Sequence, residues 1–346
     1  MLRGAMIGVG TWGERQLQAW QSVPDAQIVA LCDRDPALLA AARDRFNVEA
    51  TFDDAAAMLD AVSVDFVDIC TRPSGHAALV RLAADRGLPV LCQKPFCSDY
   101  AEAQATVAYC EAAGVPLMVN ENFRWQSWYR AVADLLATGV IGMPFLARIH
   151  WRMRMSLPAF HHPQVYFKDM PRLAVYELGV HYIDVFRFLF GEPNTVYARL
   201  HRVSPHIAGE DVQIILLAYE AANLTCMVEH SWASVPVSGI DRPDGPYENW
   251  EIAHPLEIDG TDGTIVLAAD RTLSVYRDDG VTTHQTFPQE ARFASQVSTL
   301  AHFIDCLVSN LPFETNGRSN LQTMAVAYAC YESAASNRVI RLEMSP

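Results

Sequence analysis

The glycine-rich segment after the first apolar run constrains the fold of this chain more than any other feature. Residues 4–10 (GAMIGVG) predict a strand, and Gly8, Gly10 and Gly13 form the pattern G-x-G-x-x-G at the start of a predicted helix. Asp33 lies 20 residues beyond Gly13, at the end of the next predicted strand. This strand–helix–strand arrangement with a terminal acidic residue is the dinucleotide-binding fingerprint, and it predicts a Rossmann domain.

The same segment indicates which dinucleotide is bound. Glycines allow backbone N–H groups to approach a pyrophosphate, and the helix N-terminus adds partial positive charge, so Thr11 and Trp12 are counted among the cofactor-binding residues. The Asp33 carboxylate suits the ribose hydroxyls and repels a 2′-phosphate, which favours NAD. Arg34 leaves NADP open, because an arginine at this position can pair with that phosphate.

The pattern of elements changes once along the chain. A length of 346 residues suggests two domains at about 150 residues each. Short apolar strands alternate with helices up to about residue 120, which predicts a parallel sheet. Longer segments with polar–apolar alternation follow, which predict a largely antiparallel sheet. We expect an α/β chain with domains at 1–122 and 123–346, and an irregular loop at 234–254.

Composition and charge exclude several classes of function. The chain has 26 Lys and Arg against 40 Asp and Glu, a net charge of −14, which argues against nucleic-acid binding. No uncharged apolar run reaches about 18 residues, so no membrane span is expected. The N-terminus is predicted to be a strand and not a signal peptide. The eight cysteines form no C-x-x-C pair and are predicted to be buried, reduced thiols of a cytoplasmic protein.

A lysine follows the strand predicted near residue 90. In open α/β sheets, ligands bind at the carboxyl ends of the strands, so Lys94 in the segment Gln93-Lys94-Pro95 is a candidate catalytic residue. An ordinary exposed lysine at a strand end is the alternative. Gln93 and Lys94 are also expected to contact the cofactor, together with Thr71 and His76, which follow the preceding predicted strand.

A carboxylate and an imidazole lie on one face of a helix predicted near residue 180. Glu177 and His181 are spaced i, i+4, so the carboxylate can orient the imidazole as a general base. Asp184 is three residues further and either contacts the same ring or faces another element. A structural core histidine is the alternative interpretation.

A third polar segment follows the strand predicted near residue 117. Asn122 and Arg124 suit the hydroxyls of a sugar or polyol, and the Trp125 indole suits the C–H face of a sugar. We expect these three residues to bind substrate with Lys94 and Glu177, and His181 belongs to the same set. A polar linker between domains is the alternative.

These three elements, in this order and spacing, resemble the Gfo/Idh/MocA oxidoreductases over essentially the whole chain. The usual E-K-P motif of that family is Q-K-P here, and its D-x-x-x-H pair is Glu177 with His181. Strings such as ALCDRDP, LCQKPF and PLMVNENFRWQ further resemble a subgroup that oxidises the branched pentose D-apiose with NAD. The chain departs from that subgroup at Asn120, where His is expected, and at Glu177, where Asp is expected.

The resemblance implies a sugar dehydrogenase that oxidises the anomeric carbon of an aldose to a lactone. His181 would take the hydroxyl proton, Lys94 would donate a hydrogen bond to the reacting oxygen, and Glu177 would orient His181 or bind a neighbouring hydroxyl. The reverse assignment, with Lys94 as the base, stays open. The resemblance also implies a large open sheet that joins a homodimer or homotetramer, and no metal. An NAD-dependent glycosidase and a non-catalytic NAD-binding sensor are the alternatives.

Overall fold

The computed structural model describes residues 1–162, 164–235, 253–288 and 293–343. They divide into two compact units, Met1–Asn122 with Phe293–Gln322, and Phe123–Arg292 with Thr323–Pro346. Most of the loop expected at 234–254 lies outside the described residues. The sequence-based division placed 293–322 in the second domain, whereas in the structure this segment packs in the first unit. The reason is that Leu300, Phe303 and Ile304 are part of that unit's apolar core.

The first unit is built on a six-stranded parallel sheet with the order β3-β2-β1-β4-β5-β6. Its strands are β1 Leu2–Ile7, β2 Ala26–Cys32, β3 Ala50–Phe52, β4 Phe66–Ile69, β5 Val90–Gln93 and β6 Leu117–Asn120. Its helices are α1 Thr11–Trp20, α2 Pro36–Phe46, α3 Ala55–Ala61, α4 Pro73–Ala84, α5 Tyr100–Ala113 and α8 Ala294–Ser309. The strand order reverses between β1 and β4, and ligands of doubly wound sheets bind beyond the strand ends at such a point.

Local sequence accounts for the helix boundaries of this unit. The Asp35 side chain accepts the N–H groups of Ala37 and Leu38 at the start of α2, and Pro36 occupies the first helical position. Asp54 and Asp99 cap α3 and α5 in the same way. Strands β4, β5 and β6 are buried at every position, as expected for a parallel sheet covered on both faces.

The second unit contains a nine-stranded sheet with the order β14-β13-β12-β11-β7-β10-β9-β8-β15. Its strands are β7 Pro144–Arg152, β8 Thr195–His201, β9 Val212–Tyr219, β10 Leu224–Ser231, β11 Leu256–Gly260, β12 Gly263–Leu267, β13 Thr272–Arg277, β14 Gly280–Thr286 and β15 Ile340–Arg341. Its helices are α6 Ser127–Ala137 and α7 Val180–Phe190, and α9 Gly317–Ser336 ends in this unit. Among the described strands, β7 and β10 pair in parallel and the other neighbours are antiparallel, so the predicted fold class is confirmed.

One face of the large sheet carries the core of the second unit. Along β7 the buried positions alternate through Ala147, Ile149 and Trp151. Trp128 of α6 and Phe186 of α7 are fully buried in the same core. Residues of the other parity stay partly accessible, which is the pattern of an antiparallel sheet with one covered face.

All eight cysteines are buried free thiols, as predicted. Within the described part of the chain, no helix combines the length and the apolar character needed to cross a bilayer.

Candidate active site

The glycine-rich turn joins β1 to α1 in the first unit. Gly8 has a φ of +96°, a conformation that strains residues with a side chain, and a Cβ there would lie 2.4 Å from the Cys70 carbonyl oxygen. A Cβ on Gly13 would lie 2.1 Å from the Gly8 carbonyl oxygen. Among the residues that the structure describes, none lies within 4 Å of the Cβ position of Gly10, which directly precedes α1. The described residues thus leave space beside the start of α1, and the N–H groups there suit a pyrophosphate.

The acidic residue of the fingerprint holds this turn in place. Asp33 directly follows β2, and its Oδ2 accepts the N–H of Val9 at 2.8 Å. Its Oδ1 accepts the N–H of Asp35 at 3.0 Å, and the side chain stays partly exposed. Arg34 beside it is exposed, as is Thr11, whereas Trp12 packs edge-on against Phe293 with ring centroids 6.3 Å apart. The carboxylate thus fits a ribose while it shapes the pyrophosphate turn.

His76 does not occupy the position of a cofactor ligand. Its ring is fully buried, with Nδ1 3.0 Å from the Phe96 carbonyl oxygen and Nε2 3.0 Å from the Thr71 carbonyl oxygen. Burial lowers the pKa of His76, while the carbonyl oxygens of Thr71, Phe96 and Pro95 act in the opposite direction. The structure therefore corrects the expectation of a direct contact with the cofactor. His76 instead joins the loop after β4, which contains the partly exposed Thr71, to the turn after β5.

Lys94 comes directly after β5, at the carboxyl end of the parallel sheet. The Gln93 side chain is 5% exposed, and its Oε1 accepts the backbone N–H of Lys94 at 2.8 Å. At the end of β6, Asn120 is fully buried and donates to Gln16 Oε1 at 2.9 Å. Asn122 donates from Nδ2 to Ser295 Oγ at 2.8 Å, which ties the segment after β6 to α8.

Glu177 and His181 are both 4% exposed in the second unit. Glu177 lies in a π-helical turn, Val175–Gly179, whereas the sequence predicts regular helix there; His181 lies in the first turn of α7. The His181 ring stacks on the Phe123 ring with centroids 3.9 Å apart and an angle of 5°. Such π-helical turns occur frequently at functional sites.

The π-helical turn has identifiable supports. Gln213 of β9 donates from Nε2 to the Ala174 carbonyl oxygen at 3.1 Å. Glu210 Oε1 accepts the N–H groups of Leu173 and Val175 at 3.1 and 3.0 Å. A Cβ at Gly179 would lie 2.5 Å from Gln213 Oε1, so glycine allows the turn to approach β9. These contacts set the position of Glu177 from outside its own helix.

Arg124 forms a buried ion pair with Asp184. Its Nε and Nη2 donate to the two carboxylate oxygens of Asp184, each at 2.7 Å, and the Arg124 side chain is almost entirely buried. This fork replaces the sugar contact expected of Arg124, and it shows that Asp184 faces Arg124. The Arg130 guanidinium lies 3.9 Å from the centroid of the Trp125 ring, so a sugar could stack only on the opposite ring face.

A buried histidine that the motifs did not reveal lies near His181. His254 Nδ1 is 2.8 Å from the Tyr182 hydroxyl oxygen, and the His254 ring stacks on Trp151 with centroids 4.4 Å apart. The His254 ring is also 5.3 Å from that of Phe123, which stacks on His181. Burial, with a smaller contribution from the His181 charge, lowers the pKa of His254 to about 3. No periodicity or spacing marks this residue in the sequence.

Two family models match the chain. Residues 2–121 match the oxidoreductase family with an NAD-binding Rossmann fold, and residues 129–266 match the C-terminal domain of the same family. The chain belongs to the GFO/IDH/MocA oxidoreductase family. It is therefore an oxidoreductase whose first unit binds NAD, as the glycine-rich turn and Asp33 predicted. No group of three His, Cys, Asp or Glu side chains among the residues with assigned positions is arranged to hold a metal.

Individual relatives extend over nearly the full length. A D-apiose dehydrogenase of Paraburkholderia graminis is 41% identical over 99% of this chain and 90% of the relative. A second, from Rhizobium rhizogenes, is 40% identical over 98% and 97%. A crystal structure of an oxidoreductase from Agrobacterium radiobacter, in complex with NAD⁺, L-tartaric acid and magnesium, is 38% identical with a TM-score of 0.90, and covers 98% of both chains. The family resemblance is confirmed by these matches.

Proposed function

We propose that this protein is an NAD-dependent dehydrogenase of a free aldose, with D-apiose as the first candidate substrate and a lactone as the product. The observation that carries the proposal is the nearly full-length similarity to two proteins named D-apiose dehydrogenase, at 41% and 40% identity. The preserved Lys94 and His181 support a catalytic protein over a non-catalytic NAD-binding sensor.

The residues of the first unit fit the cofactor. Bound NAD supplies an acceptor for the hydride that leaves the sugar carbon. The N–H groups around Gly10 bind its pyrophosphate, and the Asp33 carboxylate binds its adenosine ribose. Because Asp33 also holds the Val9 N–H, we expect ribose recognition and turn geometry to depend on one another. Arg34 is exposed and can pair with a 2′-phosphate, so the same site could also bind NADP.

The proton chemistry is assigned to His181, Glu177 and Lys94. His181 takes the proton of the anomeric hydroxyl, and Glu177 orients its ring or binds an adjacent hydroxyl. Stacking on Phe123 restricts the rotation of the His181 ring, which favours one direction for proton transfer. Lys94 donates a hydrogen bond to the reacting oxygen and stabilises charge that develops there. The opposite assignment, with Lys94 as the base, is tested by the pH profiles of the two variants.

Substrate selection is assigned to the remaining polar candidates. Asn122 and Trp125 stay candidates for contacts to the sugar. His254 is a further candidate, because its ring lies 5.3 Å from that of Phe123, which stacks on His181. Glu177 has one methylene more than the Asp expected from the D-apiose subgroup. A displacement of about 1 Å can cost about 100-fold in rate, so this residue bears on which sugar is accepted.

We further propose that the outer face of the nine-stranded sheet joins copies of the chain. Ile214 and Tyr276, 38% and 45% exposed, lie on the face opposite to the core. Light scattering during size-exclusion chromatography tests this, with Ile214→Glu as the disrupting variant.

A cytoplasmic location is proposed on the ground that all eight cysteines are free thiols.

The test of the function is NADH formation by the purified protein with a panel of free aldoses and polyols that includes D-apiose. Turnover of D-apiose with lactone release supports the full proposal. Turnover of another sugar alone keeps the dehydrogenase and assigns the difference to Glu177 and Asn120. A chromogenic glycoside is tested beside the panel, and release of its aglycone without net NADH identifies a glycosidase. NAD binding without any turnover identifies a sensor and overturns the proposal.

A further inference from the structure

A charged residue that has no role in the chemistry assigned above lies in the middle of the parallel sheet. Asp68 is the third residue of β4, and its side chain is fully buried. Gln16 of α1 donates from Nε2 to both carboxylate oxygens, at 3.0 and 2.9 Å. Trp20 of α1 donates from Nε1 to Oδ2 at 2.7 Å. Both donors are neutral, so the charge is held by dipoles.

The side-chain oxygen of Gln16 accepts hydrogen bonds from three further amides. Gln16 Oε1 accepts from Asn120 Nδ2 at 2.9 Å and from Gln93 Nε2 at 3.4 Å. It also accepts from Nε2 of Gln296, a buried residue of α8. Strands β5 and β6 and two helices thus converge on one oxygen.

The direction of every hydrogen bond in this network follows from Asp68. An ionised carboxylate can only accept, so the NH₂ of Gln16 must face it and the oxygen of Gln16 must face the other way. Gln93 can meet that oxygen only with its own NH₂. The oxygen of Gln93 is then left to accept the N–H of Lys94, at 2.8 Å.

We propose that Asp68 and Gln16 are positioning residues for Lys94: the buried carboxylate orients Gln16, which orients Gln93, which holds the backbone of Lys94. This inference depends on the proposed function, because that function gives Lys94 its role at the reacting oxygen. It also accounts for a glutamine, and not a glutamate, at position 93. A glutamate would set an oxygen against Gln16 Oε1, and neither atom carries a hydrogen.

The first experiment removes the two ends of the network. Asp68→Asn takes away the purely accepting group, and Gln16→Met keeps the volume but removes the amide. Thr299→Val in α8 is the control, because it deletes a buried hydroxyl that donates to the Ser295 carbonyl oxygen at 2.8 Å, outside the network. The readouts are hydrogen exchange of peptides that begin at residue 91 or earlier and include Lys94, NAD affinity, kcat and KM.

We expect the Lys94 amide to exchange about tenfold faster or more in both network variants, and at the wild-type rate in Thr299→Val. We expect kcat to fall about tenfold or more while KM and NAD affinity change by less than about threefold, since the altered group acts after binding. Equal losses in KM and kcat, or a control that behaves like the variants, would indicate general destabilisation and overturn the proposal.

A double-variant cycle supplies the second test. Gln93→Glu alone should lower kcat and speed exchange at Lys94, because oxygen meets oxygen. In the Asp68→Asn background the Gln16 amide group can rotate by about 180°, so that its NH₂ faces the carboxylate introduced at position 93. The combined loss should therefore be smaller than the product of the single losses. Multiplicative losses contradict the orientation argument.

Hydrogen exchange separates the two proposals, since it needs no substrate. If exchange at Lys94 responds and kcat does not, the network holds the Lys94 backbone without serving the reaction, and the positioning role is wrong. If exchange responds but the wild type turns over no sugar, the proposed function is at fault and the hydrogen-bond network stands. If wild-type protein turns over sugar but exchange and kcat are unchanged in Asp68→Asn and Gln16→Met, the positioning role is wrong while the function stands.

Discussion

Lys94 is one of two lysines in the chain, and the other is Lys168, an exposed residue of the second unit. We expect Lys94→Ala to lower kcat by about 100-fold or more, the range found for removal of groups that move or stabilise a proton. NAD affinity should change little, because the pyrophosphate and ribose contacts are made elsewhere. Steady-state kinetics and NAD titration measure both quantities. Lys168→Ala is the matched control, and near-normal turnover in Lys94→Ala would remove Lys94 from the catalytic set.

Asp68 makes the stability of the protein depend on pH. Burial raises the pKa of Asp68 from 3.8 to about 6, so the folded state binds this proton more tightly than the unfolded state does. The free energy of unfolding therefore falls as the pH rises through this range, and it should be about 1 kcal/mol lower at pH 8 than at pH 5 from this residue alone. Denaturant unfolding of the wild type and of Asp68→Asn at both pH values measures the difference. A difference of opposite sign would show that the carboxylate is stabilised by folding.

Side-chain partners are the part of the site that the sequence left open. Lys94, His181 and the glycine-rich turn were proposed from motifs, because the spacing of such motifs reflects the chemistry itself. Arg124 and His76 have equally suitable side chains, yet they bond Asp184 and two backbone carbonyls. Those partners lie 60 residues away from Arg124 and 5 and 20 residues away from His76, and no local pattern links them.

The π-helical turn at the start of α7 supports a prediction at the level of one element. Gly179→Ala would place a methyl group 2.5 Å from Gln213 Oε1, so either the turn or Gln213 must move. We expect a loss of about 1–3 kcal/mol in the free energy of unfolding and a lower kcat, since Glu177 belongs to this turn. Chemical denaturation and kinetics measure the two effects. Gln213→Ala in the same chain should recover part of the kcat loss, and an unchanged variant would contradict the close approach.

Element types were more predictable than element details. Most strands and helices of the parallel sheet follow from apolar runs and prolines in the sequence. The short strand β3 and helix α3 were not predicted. The π-helical turn was also not predicted, because Glu177 and His181 suit either kind of helix and the supports Gln213 and Glu210 come from another part of the chain. Likewise the apolar face of α8 predicts a buried helix without showing which core it enters.

The division of the molecule supports a prediction about fragments. Phe303 of α8 lies against Phe66 of β4, with ring centroids 5.4 Å apart, so residues 1–122 alone lack part of their core. A fragment of residues 1–122 should therefore bind NAD weakly and lack fixed tertiary structure. Joining it through a flexible linker to 293–322 should restore both. Near-ultraviolet circular dichroism and NAD titration compare the two fragments, and full NAD affinity in the shorter one would contradict this account.

The return of the chain to the first unit also bears on its synthesis. A ribosome delivers the six strands of the parallel sheet early, but Phe303 and its neighbours emerge only after residues 123–292 have been made. At roughly 5–20 residues per second, the nascent sheet waits on the order of 10 s with an uncovered apolar surface. During that interval the exposed apolar surface can aggregate unless chaperones cover it. Slow codons placed after residue 122 would lengthen the exposure.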